Sequence, residues 1–245
     1  MSDAAAARHE LERLLEADAP ALRATLPPGF ADAAERYLGL LLDANERLNL
    51  TRIVEPEPMA RLHLLDALSA LPMLDAAAPK RALDLGSGGG VPGIVLALAR
   101  PDVAWTLVDS ARKKSDVLRA FVAALELRNV VVTAQRAEDL GRDPAHRELH
   151  DLVAARACAA LPVLAEYALP LVRVGGTVLA WKGLIGDKEL STGRIAADSL
   201  GGEVEVHTTG IAALGDHRFV LMHKVAATPA RFPRRSGEPA RKPLG

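Results

Sequence analysis

The chain has 245 residues, 49% hydrophobic and 25% charged, with a formal net charge of −1. These values exclude a wholly disordered chain and a protein that engages nucleic acid through its overall charge. The length suits one domain with an appendage, or two small domains, and can bury a core without disulfide or metal staples. The single cysteine, Cys158, excludes an intrachain disulfide and argues against a Cys-based zinc site.

The pattern up to about residue 78 is helical. Arg8, Leu11, Leu14 and Leu15 fit one amphipathic turn, and there is no apolar leader, so the cytoplasm is the expected compartment. Tyr37, Leu38, Leu41, Leu42 and Leu48 mark a second helix, separated from the first by Pro27, Pro28 and Gly29. Pro56 and Pro58 open a third, which Pro72 and Pro79 are expected to close. From Arg81 the period changes. Strands are expected at 81–85, 104–108, 130–134, 152–155, 177–181, 203–208 and 218–224. Helices are expected at 91–99, 112–126, 162–172 and 187–200, with a loop over 136–150. The apolar run Val91 to Ala99, broken by Pro92 and Gly93, is too short to cross a bilayer, and no membrane partner is expected. Alternating β and α units predict an α/β fold with a mostly parallel sheet covered on both faces. The last two strands, joined by a short loop, suit an antiparallel hairpin at its edge. The expected division is a helical extension over 1–78, a ligand-binding core over 79–228 and an extended basic tail over 229–245. That tail holds Arg231, Arg234, Arg235, Arg241 and Lys242 against Glu238 alone, a net +4, which leaves the other 228 residues at −5.

The main chemical signal is the segment Asp84-Leu85-Gly86-Ser87-Gly88-Gly89-Gly90-Val91-Pro92-Gly93. A strand that runs into a glycine-rich turn and then a helix lets backbone approach a ligand at a positive helix end. The spacing Gly88-x-Gly90-x-x-Gly93 also fits a dinucleotide. Asp84, two residues before the first glycine, favours S-adenosylmethionine, because a carboxylate there suits its cationic amino group and sulfonium. Asp109, closing the second strand about 20 residues on, suits ribose hydroxyls or the N-cap of the next helix. Ala137 and Glu138 follow the third strand, where a short side chain can pass adenine. Arg156 ends the fourth, where an Arg can clamp an anion or make a structural ion pair. Cys158 reads as a small hydrophobe more readily than as a nucleophile, and the Asn/Asp-Pro-Pro-aromatic motif of exocyclic-amine methyltransferases is absent. Missing metal, serine-hydrolase and P-loop motifs argue against those classes. The segment Asn45 to Thr51 and the pair His63/Asp66 are further candidates. The tail fits an arm lying on phosphates; five cations on single-stranded RNA give a salt slope of roughly −3.5.

Together these blocks resemble the bacterial small-subunit rRNA guanine-N7 methyltransferases, once called glucose-inhibited division protein B. The resemblance runs from about Tyr37 to Gly245. It rests on Asn49-Leu50-Thr51, His63-Leu64-Leu65-Asp66, the glycine turn, Leu107-Val108-Asp109-Ser110, Arg156-Ala157, Trp181-Lys182-Gly183, and the tail motifs Pro233-Arg234-Arg235 and Arg241-Lys242-Pro243-Leu244. Ala44 departs from it, since family members often carry Trp there. The resemblance implies a class I S-adenosylmethionine-dependent, Rossmann-like fold with a seven-stranded sheet. It also implies methylation of N7 of one guanine of 16S rRNA (guanine 527 in the family's usual numbering) in the small subunit or an assembly intermediate, by a monomer. Gly86, Gly88, Val91, Asp84, Asp109, Ala137, Glu138 and Arg156 would border the cofactor. Arg156 and Lys182 would position the acceptor, and the tail cations would meet RNA. A small-molecule methyltransferase, a nicotinamide-dependent oxidoreductase and a non-enzymatic RNA-binding factor are the alternatives.

Overall fold

The computed structural model describes residues 1–245. Its N-terminal helices are α1 (Asp3–Asp18), α2 (Pro20–Thr25) and α3 (Phe30–Leu48). Next comes a continuous helical run made of α4 (Pro56–Pro58), a π-helical segment (Met59–Leu65) and α5 (Asp66–Leu68). Then follows α6 (Leu71–Ala77), in whose first turn Pro72 sits. Pro72 therefore does not close the third helix as expected. It starts another, because a first-turn residue needs no donor for the helix ladder.

The remaining elements alternate: β1 (Arg81–Leu85), α7 (Gly93–Ala99), β2 (Ala104–Val108), α8 (Arg112–Ala124), β3 (Val130–Thr133), α9 (Ala137–Leu140), β4 (His150–Arg156) and α10 (Leu161–Ala168). They continue with β5 (Val172–Lys182), α11 (Asp187–Ser199), β6 (Gly202–Thr208), β7 (Arg218–Lys224) and α12 (Glu238–Arg241). The seven strands form one sheet in the order β3-β2-β1-β4-β5-β7-β6. The first five are parallel; β7 runs antiparallel between β5 and β6. The expected hairpin is thus present, with β6 at the edge. Three segments differ from expectation. The 136–150 loop contains α9. Helix α10 stops at Ala168, and Pro170 turns the chain into a longer β5. β4 starts at the polar pair His150-Asp151, whose Asp carboxylate takes the Lys80 and Arg81 amides at 2.8 Å each.

Period-two alternation splits the core in two. Ala82, Trp105, Leu107, Leu152 and Leu179 face α7, α8 and the N-terminal helices in one apolar cluster. Leu83, Val108, Val153, Val178 and Val220 face α10, α11 and Phe232 in the other. The N-terminal helices therefore share a core with the sheet. Neither is the tail extended. Phe232 is buried, and the Arg234 guanidinium lies within 2.5–3.1 Å of both carboxylate oxygens of the fully buried Glu166. Arg147 donates to the Thr228 and Phe232 carbonyls at 2.8 Å, and Arg142 to that of Pro233 at 2.9 Å. Apolar burial and these ion-paired contacts outweigh the self-repulsion that its composition suggests.

Candidate active site at the carboxyl edge of the sheet

Strand order reverses between β1 and β4, and in open α/β sheets ligands settle outside the carboxyl ends at such a switch point. Three cavities meet there. The first, about 320 Å³, lies over β1, β2 and β3 and is lined by Gly86, Asp109, Lys114, Ala137, Glu138 and Tyr167 among others. The second, about 230 Å³, lies between the glycine turn and the N-terminal segment and includes Thr51, His63, Gly88, Val91 and Arg156. The third, about 490 Å³, lies over β4, β5 and the start of β7 and includes Asp66, Arg156, Trp181, Lys182 and His217. Ala157 borders all three, Gly86 the first two, and Cys158 the first and third.

The glycine turn is shaped by contacts that a side chain would break. Gly86 adopts φ +79°, and a Cβ there would stand 3.2 Å from the Cys158 sulfur. A Cβ on Gly93 would lie 2.5 Å from Asp84 Oδ2. Asp84 is 0% exposed and takes the Gly93 amide on Oδ2 at 3.1 Å, while its Oδ1 has no partner. Burial pushes its carboxyl up to about 6. Asp84 thus lies beneath the turn and lines none of the three cavities. β1 turns its side chain inward, where it supports the turn and places a carboxylate beneath its floor.

Asp109 serves both readings given above. Its Oδ2 takes the Gly88 amide at 3.0 Å and its Oδ1 the Ala111 amide at 2.8 Å, while the residue borders the first cavity. Glu138 borders it too, with Oε1 held by the Gly237 amide at 2.6 Å and by Arg136 at 3.1 Å. Arg156 makes an ion pair with Asp66 at 3.1 Å and donates to the Leu62 carbonyl at 2.5 Å. Lys182 donates to Glu189 at 2.8 Å and to the Ala159 carbonyl at 3.0 Å. Both cations are anchored to the protein at the cavity wall and are not free clamps. Cys158 is half-buried rather than buried. Desolvation first, then the nearby Asp84 and Asp109, push its thiol up to about 11, so it is no nucleophile at neutral pH.

Of the predicted cofactor residues, the structure brings Gly86, Gly88, Val91, Asp109, Ala137, Glu138 and Arg156 to the cleft, and leaves Asp84 below it. Of the tail cations, Arg231, Arg235, Arg241 and Lys242 are exposed and make no ion pair, whereas Arg234 is committed to Glu166. Arg234, expected among the RNA-facing cations, is thus paired inside the fold. Sequence reasoning missed Lys114 and Tyr167 in the first cavity and His217 in the third. It also missed Tyr37, whose hydroxyl donates to the Gly89 carbonyl at 2.9 Å from α3. Thr51, a lesser candidate, accepts the Ile53 amide and bonds His63 Nε2 at 3.1 Å. Burial first, then Arg156, lowers His63 to about 4, so its ring is neutral.

Solved structures that share this architecture include the O-methyltransferase of Bacillus cereus in complex with SAH, with a TM-score of 0.55, 18% identity and coverage of 77% of this chain and 91% of that one. Another is the O-methyltransferase TomG of Streptomyces achromogenes in complex with SAM, with a TM-score of 0.53, 19% identity and coverage of 78% and 90%. The fold is that of the class I S-adenosylmethionine-dependent methyltransferases. The family model described as "rRNA small subunit methyltransferase G" matches residues 31–214. A ribosomal RNA small subunit methyltransferase G from Deinococcus radiodurans is 45% identical over 211 residues, 85% of this chain and 83% of that one. One from Moorella thermoacetica is 39% identical over 235 residues, 95% and 98%. The chain belongs to the rRNA small subunit methyltransferase G family, which decides the question the glycine turn left open in favour of a methyltransferase. No helix is long and apolar enough to cross a membrane.

Proposed function

We propose that the protein transfers a methyl group from S-adenosylmethionine to N7 of one guanine of 16S rRNA, in the small ribosomal subunit or an assembly intermediate, as a cytoplasmic monomer. The observation that carries this reading is the meeting of two cofactor-sized cavities with a third, acceptor-sized cavity at the Arg156–Cys158 wall. Family membership supplies the acceptor class.

The residues fit the cofactor. An unpartnered buried carboxylate oxygen on Asp84 gives the glycine turn a negative floor, which suits a cationic ligand. The turn itself leaves no room for side chains at Gly86 and Gly93. When bound, S-adenosylmethionine supplies an activated methyl group. The glycine turn and Thr51 would border its amino-acid end, Asp109 its ribose, and Ala137, Glu138 and Tyr167 its adenine. Guanine N7 carries an in-plane lone pair and no proton, so no general base is needed. The protein's task is to orient the base, an effect that can contribute about 7–11 kcal/mol. Arg156 and Lys182, fixed by Asp66 and Glu189, give the acceptor cavity rigid positive walls toward phosphate or the guanine O6. Arg231, Arg235, Arg241 and Lys242 form an exposed basic surface suited to RNA backbone.

The test is methyl transfer from labelled S-adenosylmethionine to small subunits from a strain lacking this protein, followed by nucleoside analysis. Labelled 7-methylguanosine at one 16S position is the expected outcome. Cofactor binding without label in RNA would overturn the acceptor.

A further inference from the structure

We infer that Lys114 binds the carboxylate at the amino-acid end of S-adenosylmethionine: it is the cation of the two cofactor cavities that the fold leaves without an acidic partner. This rests on the cofactor placement given above.

Lys114 stands at the seam of the cofactor's path. It is the third residue of α8, half-buried where Arg112 and Lys113 before it are exposed. It lines both the first and the second cavity, which otherwise share only Gly86 and Ala157. It does not line the third, acceptor-sized cavity. A cofactor with its adenosine in the first cavity and its amino-acid end in the second crosses between them at Gly86 and passes Lys114. The cation therefore belongs to the cofactor's side of the cleft and not to the acceptor's.

The charges of the two cavities single it out. Arg136 and Lys114 line the first, and Arg156 and Lys114 the second. Arg136 is paired with Glu138 and Arg156 with Asp66, each at 3.1 Å. Lys114 makes no ion pair. Asp109, five residues before it, has both carboxylate oxygens on the Gly88 and Ala111 amides. No carboxylate lines the second cavity, so an anion there meets positive walls and no wall charge of its own sign. The amino-acid end of S-adenosylmethionine carries an amino group and a carboxylate. The Asp84 charge beneath the glycine turn suits the first, and a cation is needed for the second, because a carboxylate taken out of water without a partner is costly. Helix α8 gives an independent sign. Its first turn holds Arg112, Lys113 and Lys114 and no acidic residue, at the helix end whose dipole disfavours cations. Lys114 is thus held unfavourably in the free protein, and a bound anion offsets this.

The test is calorimetric titration of the wild type, Lys114→Ala and Lys114→Arg with S-adenosylhomocysteine and with its decarboxylated analogue, which keeps the adenosine and the amino group. Lys114→Ala is expected to bind S-adenosylhomocysteine about tenfold more weakly, the size of one charge-assisted hydrogen bond, and the decarboxylated analogue within about twofold of wild type. Lys114→Arg, which keeps the charge, is expected within about threefold of wild type for both ligands. The Tm of Lys114→Ala should stay level or rise slightly, because a cation leaves the helix N-terminus. An equal loss for the two ligands, or an Arg variant as defective as the Ala variant, overturns the inference. So does unchanged S-adenosylhomocysteine affinity in Lys114→Ala; with a raised KM for small subunits, that result would give Lys114 to RNA phosphate instead. A wild-type protein that binds neither ligand overturns the cofactor placement itself, and the inference with it.

Discussion

Replacing Asp84 by Asn tests whether the charge beneath the glycine turn is what the turn is built around. Asn keeps an oxygen for the Gly93 amide, which now sits 3.1 Å from Oδ2, and removes only the charge. Burial lifts the Asp84 carboxyl from 3.8 to about 6. At 1.36 kcal/mol per pH unit, the native state holds the ionised form about 3 kcal/mol less favourably than the unfolded chain does. The sign follows from proton linkage. A raised folded value gives a contribution that is complete below pH 3.8 and lost as pH rises through about 6. Asp84→Asn has no such titration. Its Tm relative to wild type should therefore climb between pH 4 and 7 by the equivalent of about 3 kcal/mol, or about 6–12 °C for a chain of this size. Any unpaired amide hydrogen on Asn shifts this curve but does not tilt it. At pH 7.5 the same variant should bind S-adenosylmethionine about tenfold more weakly, and lose less for S-adenosylhomocysteine, which lacks the sulfonium charge. A Tm difference that is flat with pH would refute the burial argument. Wild-type affinity for both ligands would refute the electrostatic one.

Removing the Glu166 carboxylate by Glu166→Ala leaves a largely buried guanidinium without its partner. A double-mutant cycle with Arg234→Ala, read by thermal unfolding, should give a coupling of about 2–4 kcal/mol; a value under about 0.5 kcal/mol shows that the tail is not held by this pair. Burial lowers His63 and His150 to about 4, so both stay neutral while the unfolded chain protonates near 6.5. Stability should fall as pH drops from 6.5 toward 4, partly offset by Asp84 below 6, and His150→Gln should flatten that limb in urea titrations; an unchanged acid limb contradicts the assignment. With Arg234 committed to Glu166, four tail cations remain, and log K for single-stranded RNA should depend on log salt through them with a slope of roughly −2.8. Substituting those four by Ala should remove about that much from the measured slope, and no change would take RNA off this surface. Gly93→Ala forces a Cβ to within 2.9 Å of Asp84 Cβ, and should cost both Tm and cofactor affinity; tolerance of Ala by both measures contradicts the packing described.

Features legible in the sequence were those whose cause is local. The glycine turn, Asp109 and the alternation of strands and helices all express short-range geometry, and the sheet places them as expected. The tail misled because its composition describes only one side of a contact. Arg234 reads as a solvated cation until Glu166, 68 residues earlier, is folded against it. For Asp84, spacing fixes its distance from the turn but not the face of β1 it occupies, so its burial is not legible in the sequence. His217 gave no signal at all. It stands in a short connection before an ordinary strand, and its pairing with Asp66 spans 151 residues. At i, i+3 on one helix, His63 and Asp66 are spaced to pair with one another. In the fold they diverge, His63 to Thr51 and Asp66 to Arg156 and His217, because each finds a better-placed group across the cleft.

The two segments that flank the sheet in sequence end on opposite ends of the same cleft. From the N-terminal side, Tyr37 holds the Gly89 carbonyl and Leu41 packs where a Cβ on Gly89 would collide. From the C-terminal side, the Gly237 amide and Ser236 hydroxyl hold Glu138 and Asp139 beside the first cavity. The sheet alone therefore supplies only the floor of the site; its two ends are completed by elements docked onto it. Free energies of docking and of ligand binding then cannot be independent. If a docked tail fixes Glu138 in the orientation that favours the ligand, the bound ligand must favour the docked tail by the same factor, and the same holds for α3 at the glycine turn. A tail that looks, by charge alone, like a free arm is instead docked through its most buried cation, Arg234, on Glu166, and leaves four cations exposed.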